Sequence, residues 1–438
     1  MVLIIGGGLA GMSTAYHLGD VPHLVLEAGE SPGGLCRSRE IDGYVFDYTG
    51  HLLHLRDEKI QALVDELLPD AFDVVARKAA IRTQGVNLPF PFQANLHGLP
   101  PQTVADCLVD FIECSRHELP DDPAISFEDW SLAIFGRGIS DAFMLSYNEK
   151  LFRRDPAKMT ADWVSWAVPR PSLSQVVNGA LGIENRGMGY NPTFRYPRQG
   201  GIGVLPAALA GRVSNLRTGA RVVEVDLDRR SVQLESGERL EYDELVVTTP
   251  LPGFLQMIRG DDETAALADD LDWSVVACLN LGVERPEIAG GMHWVYFPDK
   301  DVPFYRAGFP SNFSDSVAPD GCSSVYVEFG LRRDEKFDPE ALERVALDAL
   351  RREGILEEGD RIPVRDWVRI DPGYVIFDRA RQEAMKRAVP RLRDRGVHLI
   401  GRYGAWTYSY MERALLDGLE LATELRGRVA ASMAERSR

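Results

Sequence analysis

Three glycines stand at positions 6, 8 and 11, behind the apolar run Val2–Ile5 and at the start of a helix-like stretch, Leu9–Leu18. That spacing suits a pyrophosphate cradle. Gly6 permits the tight turn, Gly8 lets the backbone approach the phosphates, and Gly11 lets helix and strand pack closely. The helix N-terminus adds unpaired N–H groups and the positive end of its dipole. Glu27 closes the next apolar run, residues 21–27, where a carboxylate accepts ribose hydroxyls. The glycine pattern alone is weak; strand, helix and terminal acid together make it a dinucleotide site. No Ser-His-Asp set, catalytic carboxylate pair or metal-ligand spacing is evident, which fits a chain whose bound cofactor carries the chemistry.

The elements that must position this cradle form a βαβ unit opening at the first residues. A helix is expected over 58–68, and helical spacing with several aromatics over 101–166 points to an inserted all-α region. Runs at 221–225, Ser231–Leu234 and 244–249 read as strands returning to the first domain. Runs at 275–283, 293–297 and 324–329 alternate like antiparallel strands and predict a second sheet. A strand over 397–400, Gly401, and a helix over 412–428 follow. The expected class is α/β: a Rossmann-like dinucleotide-binding domain with an inserted helical domain and an antiparallel sheet domain. The boundaries read as 1–80, 191–260 and 391–438 for the first domain, 81–190 for the helical part and 261–390 for the antiparallel sheet.

The chain has 438 residues, 45% of them hydrophobic, enough for several packed layers. Lys and Arg number 49 against 66 Asp and Glu, a net charge of −17. That excludes a nucleic-acid surface, yet leaves room for a local arginine cluster that binds an anionic ligand. The five cysteines are scattered without a CxxC pair, as expected of reduced thiols in a cytoplasmic protein. No basic residue precedes the apolar start and no run of 18 apolar residues occurs, so neither a signal peptide nor a membrane span is expected. Homo-oligomerisation is left open.

Ser31-Pro32-Gly33-Gly34-Leu35-Cys36-Arg37-Ser38 follows Glu27 closely, and Gly401-Arg402 follows the last strand. Both resemble the flavin amine oxidase and protoporphyrinogen oxidase superfamily, whose second glycine pair and arginine embrace the FAD pyrophosphate. The resemblance implies FAD, held by Gly6, Gly8, Gly11, Glu27, Gly34, Arg37, Val223, Gly401, Arg402 and Met411.

Within that superfamily, several patches resemble the UDP-galactopyranose mutase family, the eukaryotic type more than the bacterial. Phe46-Asp47-Tyr48-Thr49-Gly50-His51 resembles its mobile histidine loop against the flavin. Gly200-Gly201-Ile202-Gly203, after Arg195-Tyr196-Pro197, resembles its glycine turn over the ring system. Trp294-Val295-Tyr296-Phe297-Pro298, Pro303-Phe304-Tyr305-Arg306 and Ser311-Asn312 are the most specific match, completed by Pro372-Gly373-Tyr374 and Arg402-Tyr403-Gly404-Ala405-Trp406-Thr407-Tyr408.

This resemblance implies a mutase that interconverts pyranose and furanose forms of a nucleotide-diphosphate sugar through a flavin N5–sugar adduct, active with reduced FAD, with NAD(P)H as reductant. Arg306, Tyr296, Tyr374 and Tyr408 would hold the diphosphate and His51 the flavin. Tyr147 and Phe152 of the helical insert would stack on the nucleotide. Eukaryotic members carry a second phosphate arginine after the tryptophan matched to Trp163; the direct-register position is Ala167, and Arg170 is the candidate three residues on. The tail, Ser409-Tyr410-Met411-Glu412, also departs from the family's usual residues. The alternative is an FAD-dependent oxidoreductase of the amine oxidase or protoporphyrinogen oxidase type; a third is a non-catalytic flavin-binding protein.

Overall fold

In the computed structural model the described residues are 1–117, 122, 124–164, 168–185 and 192–436, with side chains described to residue 428. The boundary drawn between 190 and 191 lies outside them, as does Ala167.

The run Val2–Ile5 is the central strand of a five-stranded parallel sheet. Its neighbours are Glu244–Val247 and His23–Leu26; Val397–Leu399 and Leu216–Arg217 form the edges. All four of its residues are buried, because helices cover both faces of a parallel sheet and leave no wet side. The helix Leu9–Leu18 packs against the last helix, Met411–Arg436. Gly418 allows that approach: a Cβ there would lie 2.6 Å from the backbone nitrogen of Thr14 and 2.7 Å from the Ala10 carbonyl.

Of the three runs read as strands of the first domain, two lie outside the parallel sheet. Val222–Asp226 and Ser231–Leu234 form a separate four-stranded sheet with Arg239–Glu241 and Ile258–Arg259; Glu244–Val247 does enter the parallel sheet. The Asp226 side chain accepts from the backbone of Asp228 and Arg229, and the turn it closes pairs Val222–Asp226 antiparallel with Ser231–Leu234. A tight turn selects an antiparallel neighbour; a parallel one needs a crossover.

The second large sheet has seven strands, in the order Val364–Val375, Trp273–Val283, Ser323–Arg332, Arg306–Gly308, Trp294–Tyr296, Ala79–Thr83 and Val86–Pro89. The last two form a hairpin through Gln84 and Gly85, at φ 48° and 79°, the left-handed pair that a two-residue turn requires. Residues 81–89, expected with the helical part, therefore belong to this sheet. Cross-strand register puts Tyr296 beside Arg306, and Arg306 beside Glu328, in one row. Tyr326, two residues before Glu328, points to the same face.

The insert contains the helices Pro101–Cys114, Phe127–Ile139, Leu145–Phe152 and Leu173–Ala180. Ser126 caps one, and Ser172 with Gln175 forms a capping box on another. The insert is fastened to the seven-stranded sheet by Lys150, whose ammonium donates to the carbonyls of Phe297 (2.6 Å) and Asp299 (3.0 Å). Burial lowers the Lys150 pKa to about 7. Among the described residues, no helix is long and apolar enough to cross a membrane.

Candidate active site

The nucleotide end of the site is built by backbone. Gly6 has φ +107°, and a Cβ there would sit 2.3 Å from Thr248 Oγ1. At Gly11 a Cβ would sit 2.1 Å from the Gly6 carbonyl oxygen, so helix and strand touch through that glycine. Gly8 faces Gly34 across a gap: a Cβ on Gly8 would find only Gly34 Cα, at 3.9 Å. A side chain would fill this cradle, and two facing glycine backbones leave it open for a pyrophosphate. The Glu27 carboxylate accepts from Gly7 N (2.8 Å) and Gly29 N (2.7 Å), which fixes it at the strand end. Arg37 lies along the second glycine loop, donating to the Gly34 carbonyl at 2.8 Å with its guanidinium over Tyr48. The segment leading to Val223 runs beside Glu27, Ala220 N donating to the Glu27 carbonyl at 2.8 Å; Val223 itself is 37% exposed.

The far end is built by side chains. Arg306 donates through Nε and Nη2 to Glu328, both at 2.7 Å, and Glu328 is wholly buried. The fork holds the guanidinium in one orientation and leaves Nη1 for another partner. Burial alone would lower the Arg306 pKa; Glu328 and nearby phenols outweigh it and hold the group above its ordinary value. Arg402 donates to the carbonyls of Ser409 (3.2 Å) and Gly373 (3.1 Å), and its guanidinium carbon lies 5.1 Å from the Tyr374 ring and 5.3 Å from the Tyr408 ring. Its Nε is buried with no partner among the described residues, an orphan donor that a ligand in the cleft would satisfy.

Tyr374 and Tyr408 stack with centroids 5.9 Å apart. Tyr147 meets Tyr296 edge-on at 5.5 Å and Tyr305 at 6.2 Å; Phe152 packs against Tyr374 at 5.8 Å. Burial is the largest cause raising the pKa of Tyr147, Tyr305, Tyr374 and Tyr408, so these phenols are neutral donors at physiological pH. His51 follows Gly50, which lies against the Tyr326 hydroxyl, and the Tyr326 ring faces the Arg306 guanidinium at 5.8 Å; burial above all lowers the His51 pKa to about 4 and leaves the imidazole neutral.

The histidine segment is pinned from beneath. Asp47 accepts from Ser38 Oγ (2.6 Å), Tyr196 OH (2.8 Å) and Ile202 N (3.0 Å), and Ser38 Oγ accepts from Gly203 N at 2.8 Å. The hairpin before His51 and the glycine turn 200–203 are thus one rigid unit. Downstream, Glu412 accepts from the backbone of Arg56 and Asp57. Met411, at the start of the last helix, is buried in the core around the parallel sheet.

Arg306, His51, Tyr296, Tyr374, Tyr408, Tyr147 and Phe152, expected from separate patches of sequence, are therefore brought together with Arg402. Arg170 is not. It is exposed, its guanidinium over the Trp130 ring at 5.3 Å. From there a row of ring contacts, Trp130–Phe127, Phe127–Trp163 and Trp163–Tyr408, leads to the cluster, so Arg170 stands at the outer end of an aromatic wall. Sequence reasoning missed Glu328, Tyr326 and Asp47. Only cross-strand register with Arg306 could have singled out Glu328, since an acid in Val325-Tyr326-Val327-Glu328-Phe329 reads as the wet face of a strand.

Burial lowers the pKa values of His51, His54 and His293 each to about 4. Their folded-state affinity for protons is below the unfolded one, so the stability they contribute is present above about pH 6.5 and lost as pH falls toward 4. Asp47, raised to about 6 by burial, acts oppositely: its contribution is present below about pH 4 and lost as pH rises through 6. Burial also lowers the pKa of His17 and raises those of Asp378 and Asp417, but the large shifts are those of the three imidazoles and Asp47, so the melting temperature is expected to fall between pH 6.5 and 4. His51→Gln should flatten that fall by on the order of 2 to 3 kcal/mol, and Asp47→Asn should steepen it. Thermal melts across this range check both signs.

The family described as flavin containing amine oxidoreductase matches residues 9–426. A crystal structure of reduced UDP-galactopyranose mutase is 28% identical and superposes with a TM-score of 0.92, covering 97% of this chain and 93% of that one. A putative protoporphyrinogen oxidase from Exiguobacterium sp. 255-15 (15% identity, TM-score 0.72, 98% of each chain) shares the fold. Cyclohexylamine oxidase from Brevibacterium oxydans IH-35A shares it too, at 17% identity and a TM-score of 0.69, over 98% of this chain and 99% of that one. A 59-residue stretch, 13% of this chain, is 39% identical to an uncharacterized protein in the nifH2 3' region of Methanothermococcus thermolithotrophicus, and spans 57% of that protein. The chain belongs to the flavin containing amine oxidoreductase family and is a flavoprotein with that family's FAD-binding fold.

Proposed function

We propose that this flavoprotein interconverts the pyranose and furanose forms of a nucleotide-diphosphate sugar of the UDP-galactose kind, with reduced FAD in the cleft. One observation carries the reading: Arg306, clamped from behind by buried Glu328, stands beside Tyr296 in a cluster of phenols that also packs Tyr147, Tyr374 and Tyr408, the last two against Arg402. The resemblance of this chain to a reduced UDP-galactopyranose mutase supports it.

In this reading Arg306 binds the diphosphate, with Tyr296, Tyr374 and Tyr408 donating from the sides. Such fixed donors favour the charge that grows on a leaving diphosphate. They also keep it beside the sugar, so that its return is effectively intramolecular. Bound FAD, when reduced, would supply a nucleophilic nitrogen and spare the protein a nucleophilic side chain. Gly8, Gly34, Glu27 and Arg37 would hold its dinucleotide half, Arg402 and His51 its reactive half. Tyr147, behind Tyr296, excludes water and fixes that phenol. NAD(P)H is the reductant, entering the same cleft.

The second reading, an FAD-dependent oxidoreductase, draws on the family match. Two guanidinium groups in the pocket oppose a cationic amine as its substrate. One experiment separates the two. The mutase interconverts UDP-galactopyranose and UDP-galactofuranose after dithionite reduction, is silent when oxidised, and consumes no oxygen in proportion to product. Stoichiometric oxygen uptake with a substrate establishes the oxidoreductase instead. Anaerobic bleaching of the flavin by NADH or NADPH tests the reductant.

A further inference from the structure

Trp406 adopts φ +47° with its ring wholly buried. It follows the short helix Gly401–Gly404, and Thr407 N donates back to the Arg402 carbonyl at 2.9 Å. That bond closes a left-handed helix exit in which the position held by Trp406 normally needs glycine. A bulky residue there is an outlier that persists only when its surroundings impose it. The reversal matters, because it carries Tyr408 back over the Arg402 guanidinium.

What imposes it is on the next element. Arg381, in the first turn of the helix Arg379–Asp394, is only 8% exposed. Its Nε (2.9 Å) and Nη2 (2.6 Å) both donate to the Trp406 carbonyl. The guanidinium carbon lies 4.3 Å from the Phe377 ring centroid, and Nη1 faces Asp162 at 3.6 Å. Asp162 sits in the helical insert beside Trp163, whose ring touches both Tyr408 and Phe152. One planar cation therefore ties the insert, the end of the seven-stranded sheet and the turn after Gly401.

We propose that Arg381 is a positioning residue for residues 401–409. Its fork on the Trp406 carbonyl, anchored on the other side by Asp162, keeps tryptophan in a glycine-like conformation and so sets Arg402 and Tyr408 against each other. The proposal rests on the reading that this turn faces the flavin, and holds whichever reaction the flavin performs.

The test uses purified holoprotein carrying Arg381→Lys, which keeps the charge and loses the fork, and reads the bound flavin rather than turnover. The visible circular dichroism of the flavin should change. Its two-electron midpoint should move by about 30 mV, a tenfold change in preference between oxidised and reduced flavin. A purely structural arginine would lower the melting temperature and leave both unmoved, and that result in a folded variant overturns the proposal. Where Arg381→Lys does not fold, Asp162→Asn reads the same anchor from its other end. A smaller change in the flavin dichroism supports the proposal; an unaltered spectrum rejects it. Arg402→Lys serves as control. A flavin that responds to it but not to the Arg381 or Asp162 variants removes the positioning role alone. One that responds to none of them removes the reading of the turn, and the proposal with it.

Discussion

In an Arg306→Ala variant, kcat/KM for the nucleotide-diphosphate sugar that we propose as substrate is expected to fall by roughly 100- to 1000-fold, the usual effect of removing one fixed donor at a developing negative charge. A second effect accompanies it. Glu328 loses both of its guanidinium bonds while remaining wholly buried. An unpaired buried carboxylate costs about 3 to 5 kcal/mol of stability. The two effects separate in the double variant Arg306→Met with Glu328→Gln, where no charge is stranded. Its melting temperature should recover most of the loss, and its turnover should not. Steady-state kinetics on the reduced enzyme, beside thermal melts of the same samples, gives both numbers. Near-normal kinetics in the single variant would take Arg306 out of the site.

The second large effect belongs to the glycines, and its use lies in a contrast. Gly8→Ala is expected to leave the apoprotein about as stable as the parent, because the new methyl meets only Gly34 Cα, at 3.9 Å. The methyl does occupy the cradle, and overpacking of about 1 to 3 kcal/mol against a bound pyrophosphate weakens FAD roughly 10- to 100-fold. Gly11→Ala should do the reverse in order of cause. Its methyl would fall 2.1 Å from the Gly6 carbonyl oxygen, so the fold itself must give way and flavin loss follows from that. Flavin content on purification, FAD titration of the apoproteins and melting curves distinguish the two. If Gly8→Ala retains flavin like the parent, the cradle between Gly8 and Gly34 is not where the pyrophosphate lies.

What could be read from the sequence divides along physical lines. The βαβ unit, the glycine cradle and Glu27 were legible because each is a constraint between residues close in the chain: a turn, a close approach, a strand end. Val2–Ile5 announced its burial by being apolar on both faces. The patches around Tyr296, Arg306, Tyr374 and Tyr408 could be quoted, but not their convergence, which depends on the order and register of strands in the seven-stranded sheet and on the turn after Gly401. Glu328 and Asp47 hid for the same reason, since their partners lie on other strands. The strand Val364–Val375 carries Arg365, Asp366, Arg369 and Asp371 among its apolar residues and includes Pro372 and Gly373, so charge and turn residues masked the alternation of Val364, Val368 and Ile370. Residues 81–89, most of the hairpin Ala79–Pro89, were assigned to the helical insert because they lead directly into it. Arg170 stands outside the site, where its guanidinium lies over the Trp130 ring, a cation–π contact that the sequence spacing does not reveal.

The central sheet draws neighbouring strands from positions 2–5, 23–26, 244–247 and 397–399. During synthesis its first two strands leave the ribosome long before their remaining partners exist, and contacts so distant in sequence form slowly. Flavin capture must therefore be a late event, after nearly the whole chain has emerged. Until then the apolar first strand has only its neighbour at 23–26 to pair with.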